Sequence, residues 1–202
     1  MEEDGEAELR ASWERGELAT TATLWLERYG AEILSLLRGL CGRNLDADEV
    51  FSQFCEELWR SLPGLRWECS ARTWSYVVAR GAWGRALRGA LRHRNVAPLS
   101  DVPQVQQLVA QLRSSTAVFQ QTAVKDRFRE LRDELPADDR MLLVLRVDRA
   151  LEWNEIARVL CEDETPDAAT LAKISQRVRK QFQRVKDRIR ALARERGLVD
   201  EE

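Results

Sequence analysis

Ten glycines and five prolines in 202 residues are too few for the many tight turns of an all-β chain. There is a single histidine, His93. It lies among arginines with no acidic neighbour, so a His-dependent catalytic triad has nothing to build on. Four cysteines, Cys41, Cys55, Cys69 and Cys161, stand far apart without a CxxC pair. That spacing suits neither a zinc ribbon nor a disulfide framework, and reduced, buried thiols are expected. No apolar run approaches the ~18 residues a membrane span needs, and the acidic opening MEEDGEAELR is the opposite of a basic signal-peptide start. No membrane insertion and a cytoplasmic location are therefore expected. Gly-rich phosphate loops, paired-carboxylate motifs and Cys/His clusters do not stand out, so no cofactor, no metal and no enzymatic activity are expected.

What the chain does have is charge and helical periodicity. A third of the residues are charged and 44% are hydrophobic, in long stretches free of Gly and Pro. The fold class this predicts is all-α, as two small helical domains joined by a linker. The net charge of −2 conceals a strong pattern. Residues 1–69 carry −8 and 95–172 carry −5, whereas 70–94 carry +6 and 173–196 carry +8. Two basic blocks, each on a predicted helix behind an acidic segment, suit a chain that holds a polyanion at two places.

Apolar spacing predicts the helices in turn. Leu24, Trp25, Tyr29, Ile33, Leu36, Leu37 and Leu40 mark one over 18–40. Asp46 and Glu49 resemble a capping box, and Val50, Phe54 and Leu58 carry the next helix over 47–62. That helix leaves Asp48, Glu49, Ser52, Gln53 and Glu56 on its polar side. GLRWECS over 64–70 reads as a loop with Ser70 as cap. Trp74, Val77, Val78 and Gly81 then share a face that continues as Arg85, Arg88 and Arg92, a helix that starts in a core and ends over something anionic. Residues 95–122 hold two prolines and no sustained stripe, which predicts a linker with at most a short helical turn. Val124, Phe128, Leu131 and Leu135 mark a helix that stops at Pro136. Asp138 and Asp139 open another, with Met141, Leu142, Leu145 and Val147 as its apolar side. In LEWNEIARVL, over 151–160, Trp153, Ile156, Ala157 and Leu160 point one way. Thr165 and Pro166 are the expected N-cap and first position of a final helix whose seam is Val178, Phe182, Val185, Ile189 and Leu192 and which Gly197 ends.

Two stretches together resemble a known family. The run from LWLERYGAEILSLL through DADEVFSQFCEELW and RTWSYVVARGAWGRALRGALRHR resembles the second domain of bacterial RNA polymerase sigma factors of the extracytoplasmic-function type. LRDELPADDRMLLVLRV, LEWNEIARVL and VRKQFQRVKDRIRAL resemble the fourth, a helix-turn-helix. The implied domains are 1–94 and 123–202, with 95–122 as the linker.

The resemblance implies that Asp48, Glu49, Ser52, Gln53 and Glu56 dock on the clamp of the largest subunit of core RNA polymerase. It implies that Arg66, Trp67, Glu68 and Ser70 form a pocket for an unstacked base of the minus-10 element. Such a pocket can return roughly 1–3 kcal/mol of stacking per base. Arg72, Arg80, Arg85, Arg88 and Arg92 would grip phosphates. Trp67 is equally suited to wall the pocket or to anchor the loop, whereas Trp74 and Tyr76 suit the core. Arg177, Arg179, Lys180, Gln181, Gln183 and Arg184 would face the minus-35 duplex, where Arg can read guanine and Gln adenine. Further implied partners are promoter DNA, the flap of the second-largest subunit and an anti-sigma factor.

This sequence departs from the family pattern at Ser52, where the family has Gln, at Gly81 for Asn, and at Arg85 for Asp. CEDETPDAATLAK (161–173) replaces the tight turn between the paired helices. The function implied is an alternative sigma factor directing promoter recognition, DNA melting and transcription initiation. The alternative is a sigma mimic that binds an anti-sigma factor without touching DNA, which would have no need of two basic helices.

Overall fold

The computed structural model describes residues 2–42, 45–89, 103–116, 130–163 and 165–197. Every regular element among the described residues is a helix, and the chain divides into two compact units, residues 1–119 and 120–202.

In the first unit, α1 (Glu2–Glu14), α2 (Leu18–Cys41), α3 (Ala47–Ser61), α4 (Ala71–Leu87) and α5 (Pro103–Thr116) assemble around α2. That helix packs against each of the other four. Sequence periodicity marks a single stripe on α2, but Thr21, Ala22, Leu26, Gly30 and Leu34 are buried as well. A helix apolar on two sides is covered on two sides, and α5 supplies part of the extra cover. Residues 103–116 thus form a 14-residue helix where at most a short helical turn is expected from the sequence. The helix is stabilised by packing on α2, a tertiary effect that its own weak stripe does not announce.

The caps of α3 and α4 follow the sequence reading. Asp46 accepts from the backbone N–H groups of Asp48 and Glu49 at 2.9 and 3.4 Å. Ser70 Oγ accepts from Thr73 N–H at 3.1 Å. The inner face of α4 differs from the one that apolar spacing predicts. Ala71, Ser75, Val78, Ala79, Ala82 and Ala86 line the core, together with Tyr76 and Trp83, while Trp74, Val77 and Gly81 are only half-buried. Small residues let α4 approach α2 and α3 closely, and they carry too little apolar contrast to mark a stripe in sequence. Residues 90–94, with Arg92 and His93, lie outside the described residues.

In the second unit, the helix expected around Val124 and Phe128 lies outside the described residues, apart from helical residues 130–133. Leu131 and Leu135 at its end are buried. Next come α6 (Ala137–Leu143), a π-helical turn (Val144–Asp148), α7 (Trp153–Leu160) and α8 (Ala168–Glu195). The wide turn rotates Leu145 into the core and Val147 outward, so Val147 is 56% exposed rather than apolar lining. Ala150 then reverses the chain at φ +53. In α7 the buried residues are Ile156, Ala157 and Val159, with Trp153 and Leu160 half-buried. On α8, Val178, Phe182 and Val185 are buried as expected, Ile189 and Leu192 half so.

Trp25 has no exposed surface. Its indole N–H donates to Ser75 Oγ at 2.7 Å, and that hydroxyl donates to Ala71 C=O at 2.9 Å. Ser75→Ala leaves the indole N–H without its acceptor and should destabilise the first unit by about 1–3 kcal/mol. Chemical denaturation should show this as a lower midpoint at unchanged slope.

Candidate functional site

On α3, Asp48, Glu49, Ser52, Gln53 and Glu56 share one side, with Glu49 exposed and the others half-buried. The N-terminal half of this face is already in use. Arg38 of α2 pairs with Asp48 Oδ1 at 3.0 Å. Ser52 Oγ donates to Asp48 C=O at 2.9 Å and accepts from Arg113 of α5.

After α3 a short turn, Leu62–Gly64, leads into the loop. Trp67 adopts φ +52, which turns its ring back onto the body of the unit. Ring centres lie 5.9 Å from Trp13 and 6.0 Å from Trp25, and the Arg10 guanidinium sits 5.6 Å from the Trp67 ring. Trp67 therefore anchors the loop, and its ring is part of an aromatic cluster rather than a free wall. Helix α1 builds the rest of that cluster. Trp13 Nε1 donates to Leu62 C=O at 2.6 Å, and Glu6 accepts from Ala71 N–H at 3.2 Å. None of these α1 residues stands out in sequence, because Leu9 is the one large apolar residue on the side whose Ser12 is also buried. Arg66 and Glu68 are exposed, 3.9 Å apart at their charged ends.

The arginines of α4 divide by height along the helix. Arg72 pairs with Glu32 through two nitrogens at 2.5 and 3.2 Å, and Tyr76 donates its hydroxyl to the same carboxylate at 2.5 Å. Arg85 pairs with Glu57. Burial pushes the Glu57 carboxyl up, against the downward pull of Arg85 and Arg60. Arg80 is half-buried and Arg88 is exposed beside Gly89.

On α8, Arg177, Arg179, Lys180, Gln183 and Arg184 are exposed. Gln181 is not among them, because its amide donates to Asp139 Oδ1 of α6 at 2.7 Å. Arg179 and Arg146 lie 5.8 and 4.7 Å from the ring of Trp153, which meets Phe182 edge-on at 5.5 Å. The helix begins at Ala168, capped by Asp167, whose carboxylate accepts from Thr170 N–H at 2.7 Å. The cap thus lies two residues beyond the expected Thr165. The inserted segment ends in the first turns of α8, which brings exposed Lys173 and Gln176 onto the basic face. Counting back from Lys180 at helical spacing would have found both.

Residues 25–93 match the family model described as sigma-70 region 2. This segment is similar to sigma-70 region 2. No match to the chain was found among curated proteins or among solved structures. The matched region runs from Trp25 through α3, the loop and α4, while α1, α5 and the second unit lie outside it. The likeness therefore speaks for this segment, about a third of the chain. No described helix is long and apolar enough to cross a membrane.

The two ends of α4 should respond differently to mutation. Arg72→Ala strands Glu32 in a partly buried site and should cost about 1–3 kcal/mol, read by thermal or denaturant unfolding. Arg88→Ala should leave stability unchanged. At α8, the Thr170 N–H bond and side chain hold the Asp167 carboxyl below its ordinary value. A lowered folded value means stability present above the ordinary carboxylate pKa and lost as pH falls through the folded one. Asp167→Asn keeps a capping side chain, so hydrogen-exchange protection at the start of α8 should fall with acid in the native chain and hold flat in this variant.

Proposed function

We propose that the chain is a dissociable initiation factor that binds core RNA polymerase, selects a promoter and helps to open it. The observation that carries this reading is the region 2 match over residues 25–93, which includes the polar face of α3, the Trp67 loop and the basic end of α4. In this reading Asp48, Glu49, Ser52, Gln53 and Glu56 meet the clamp of the largest subunit. The loop from Arg66 to Ser70 meets the minus-10 element as a single strand.

Melting requires that an unstacked base find new contacts worth a substantial part of its stacking. The Trp13, Trp25 and Trp67 cluster stiffens the floor of the loop, so a base captured above it meets a site that needs no reorganisation. Arg66, Arg80, Arg88 and Arg92 are the phosphate-gripping candidates. Arg72 and Arg85 act instead by holding α4 in place through Glu32 and Glu57.

In the second unit we assign the minus-35 duplex to the basic face of α8, through Arg177, Arg179, Lys180, Gln183 and Arg184, with Lys173 and Gln176 extending it. Gln181 is left out, because its amide is engaged with Asp139. The polymerase flap would bind this unit as well, and an anti-sigma protein would compete for the same surfaces. No covalent chemistry is required and the site of action is the cytoplasm.

Purified chain added to core polymerase should direct RNA synthesis from a cognate promoter. Trp67→Ala should reduce permanganate reactivity of the opened strands more than it reduces duplex binding, and unchanged opening would remove the loop from the melting step. Lys180→Ala with Arg184→Ala should weaken duplex binding and lower its log–log salt slope by about 0.9 for each phosphate that is no longer neutralised. An unaltered slope would take that face off the DNA.

A further inference from the structure

We propose that α5 is a built-in competitor for the polymerase, seated on α2 and α3 in the free chain and displaced when the polar face of α3 is taken. The inference rests on the reading of that face as the polymerase contact. It starts from two adjacent residues of α5. Leu112 fills a notch at Gly30, where a Cβ would come within 2.6 Å of Leu112 Cδ1. The absence of a side chain at position 30 is what lets α5 approach α2 so closely. Arg113, the next residue, reaches across to α3. One of its terminal nitrogens donates to Asp48 C=O at 3.0 Å and to Ser52 Oγ. Arg38 closes the arrangement, donating from one nitrogen to Asp48 Oδ1 at 3.0 Å and to Arg113 C=O at 3.2 Å.

Two of the five residues assigned to the polymerase are thus occupied by a cation from the same chain. A partner group reaching this face would find the Asp48 carboxylate taken by Arg38 and Ser52 Oγ taken by Arg113, so Ser52 cannot serve Arg113 and such a partner together.

The seat is also built to be left. Arg38 and Arg113 are like charges that meet at one residue, Arg38 on the carboxylate of Asp48 and Arg113 on its backbone carbonyl. Arg38 Nη1 and Arg113 Nε are buried with no acceptor among the described residues. Each such group carries a desolvation penalty that nothing returns while α5 is docked. Releasing the helix restores water to both. The outer side of α5 is exposed at Gln106, Gln107 and Ala110, so α5 is held mainly from its α2 and α3 side.

A partner that binds only the unseated state must overcome the closed population, and its apparent affinity is reduced by the fraction of open chain. Weakening the seat should therefore tighten polymerase binding. The test uses the full chain and core RNA polymerase, with Leu112→Ala, Arg113→Ala and the exposed control Gln107→Ala. Hydrogen exchange across 103–116 should show protection in the free chain that disappears on polymerase binding. Leu112→Ala and Arg113→Ala should bind about tenfold more tightly, and Gln107→Ala should match the native chain. If α5 keeps its protection in the complex, the proposal is wrong. It is equally wrong if the two seat variants show a released α5 yet bind no more tightly. If neither the native chain nor any variant binds polymerase, the initiation-factor reading itself falls and takes this inference with it.

Discussion

Trp25 lies midway along α2 with its ring wholly enclosed and its single N–H committed to Ser75 of α4. A buried indole N–H must find an acceptor or cost the fold its desolvation, so this one bond sets the rotation of α4 against α2. The rest of the first unit follows. With Ser75 inward, Ala71, Ala79, Ala82 and Ala86 also face the core, and the helix can lie close. Arg72 is then turned toward Glu32 and Arg85 toward Glu57. Trp67, just upstream of α4, meets the same Trp25 ring from the loop side. The core of the first unit and the loop before α4 thus share one aromatic residue.

Charge in this protein is deployed in two ways that composition cannot separate. Arginines at the start and in the last turn of α4, Arg72 and Arg85, close partly buried acid–base pairs that stiffen the helix stack, whereas Arg88 beyond them stays in water. Between α2, α3 and α5, Arg38 and Arg113 converge on Asp48, one at its carboxylate and one at its backbone carbonyl, and leave buried N–H groups without partners among the described residues. The first arrangement favours one packing, and the second weakens a contact that a competing cation could replace.

The second unit solves a different problem, since α7 and α8 are joined by an acidic stretch of sequence rather than by a tight turn. The wide π-helical turn at Val144–Asp148 and the reversal at Ala150 bring Leu151 into the core and place Trp153 beneath Arg146 and Arg179. Phe182 braces the same ring. The middle of the basic helix is therefore tied to α7 by an aromatic contact, while its start is capped by Asp167, itself one of the inserted residues.

Helical class, most helix positions, the capping residues Asp46 and Ser70, the seam of α8 and the likeness to sigma region 2 were all legible from residue order. Each depends on neighbours within one or two turns, where periodicity and capping chemistry act locally. Tertiary structure alone decided which arginines remain available. Arg72 and Arg88 are indistinguishable by spacing, and only the position of Glu32, forty residues away in sequence, separates them. The aromatic cluster that claims Trp67, the Asp139 contact that turns Gln181 inward, and the seating of α5 against Gly30 and Ser52 are of the same kind. Partners distant along the chain meet only once the helices pack, and no local pattern records whether a charged side chain will find a carboxylate or water.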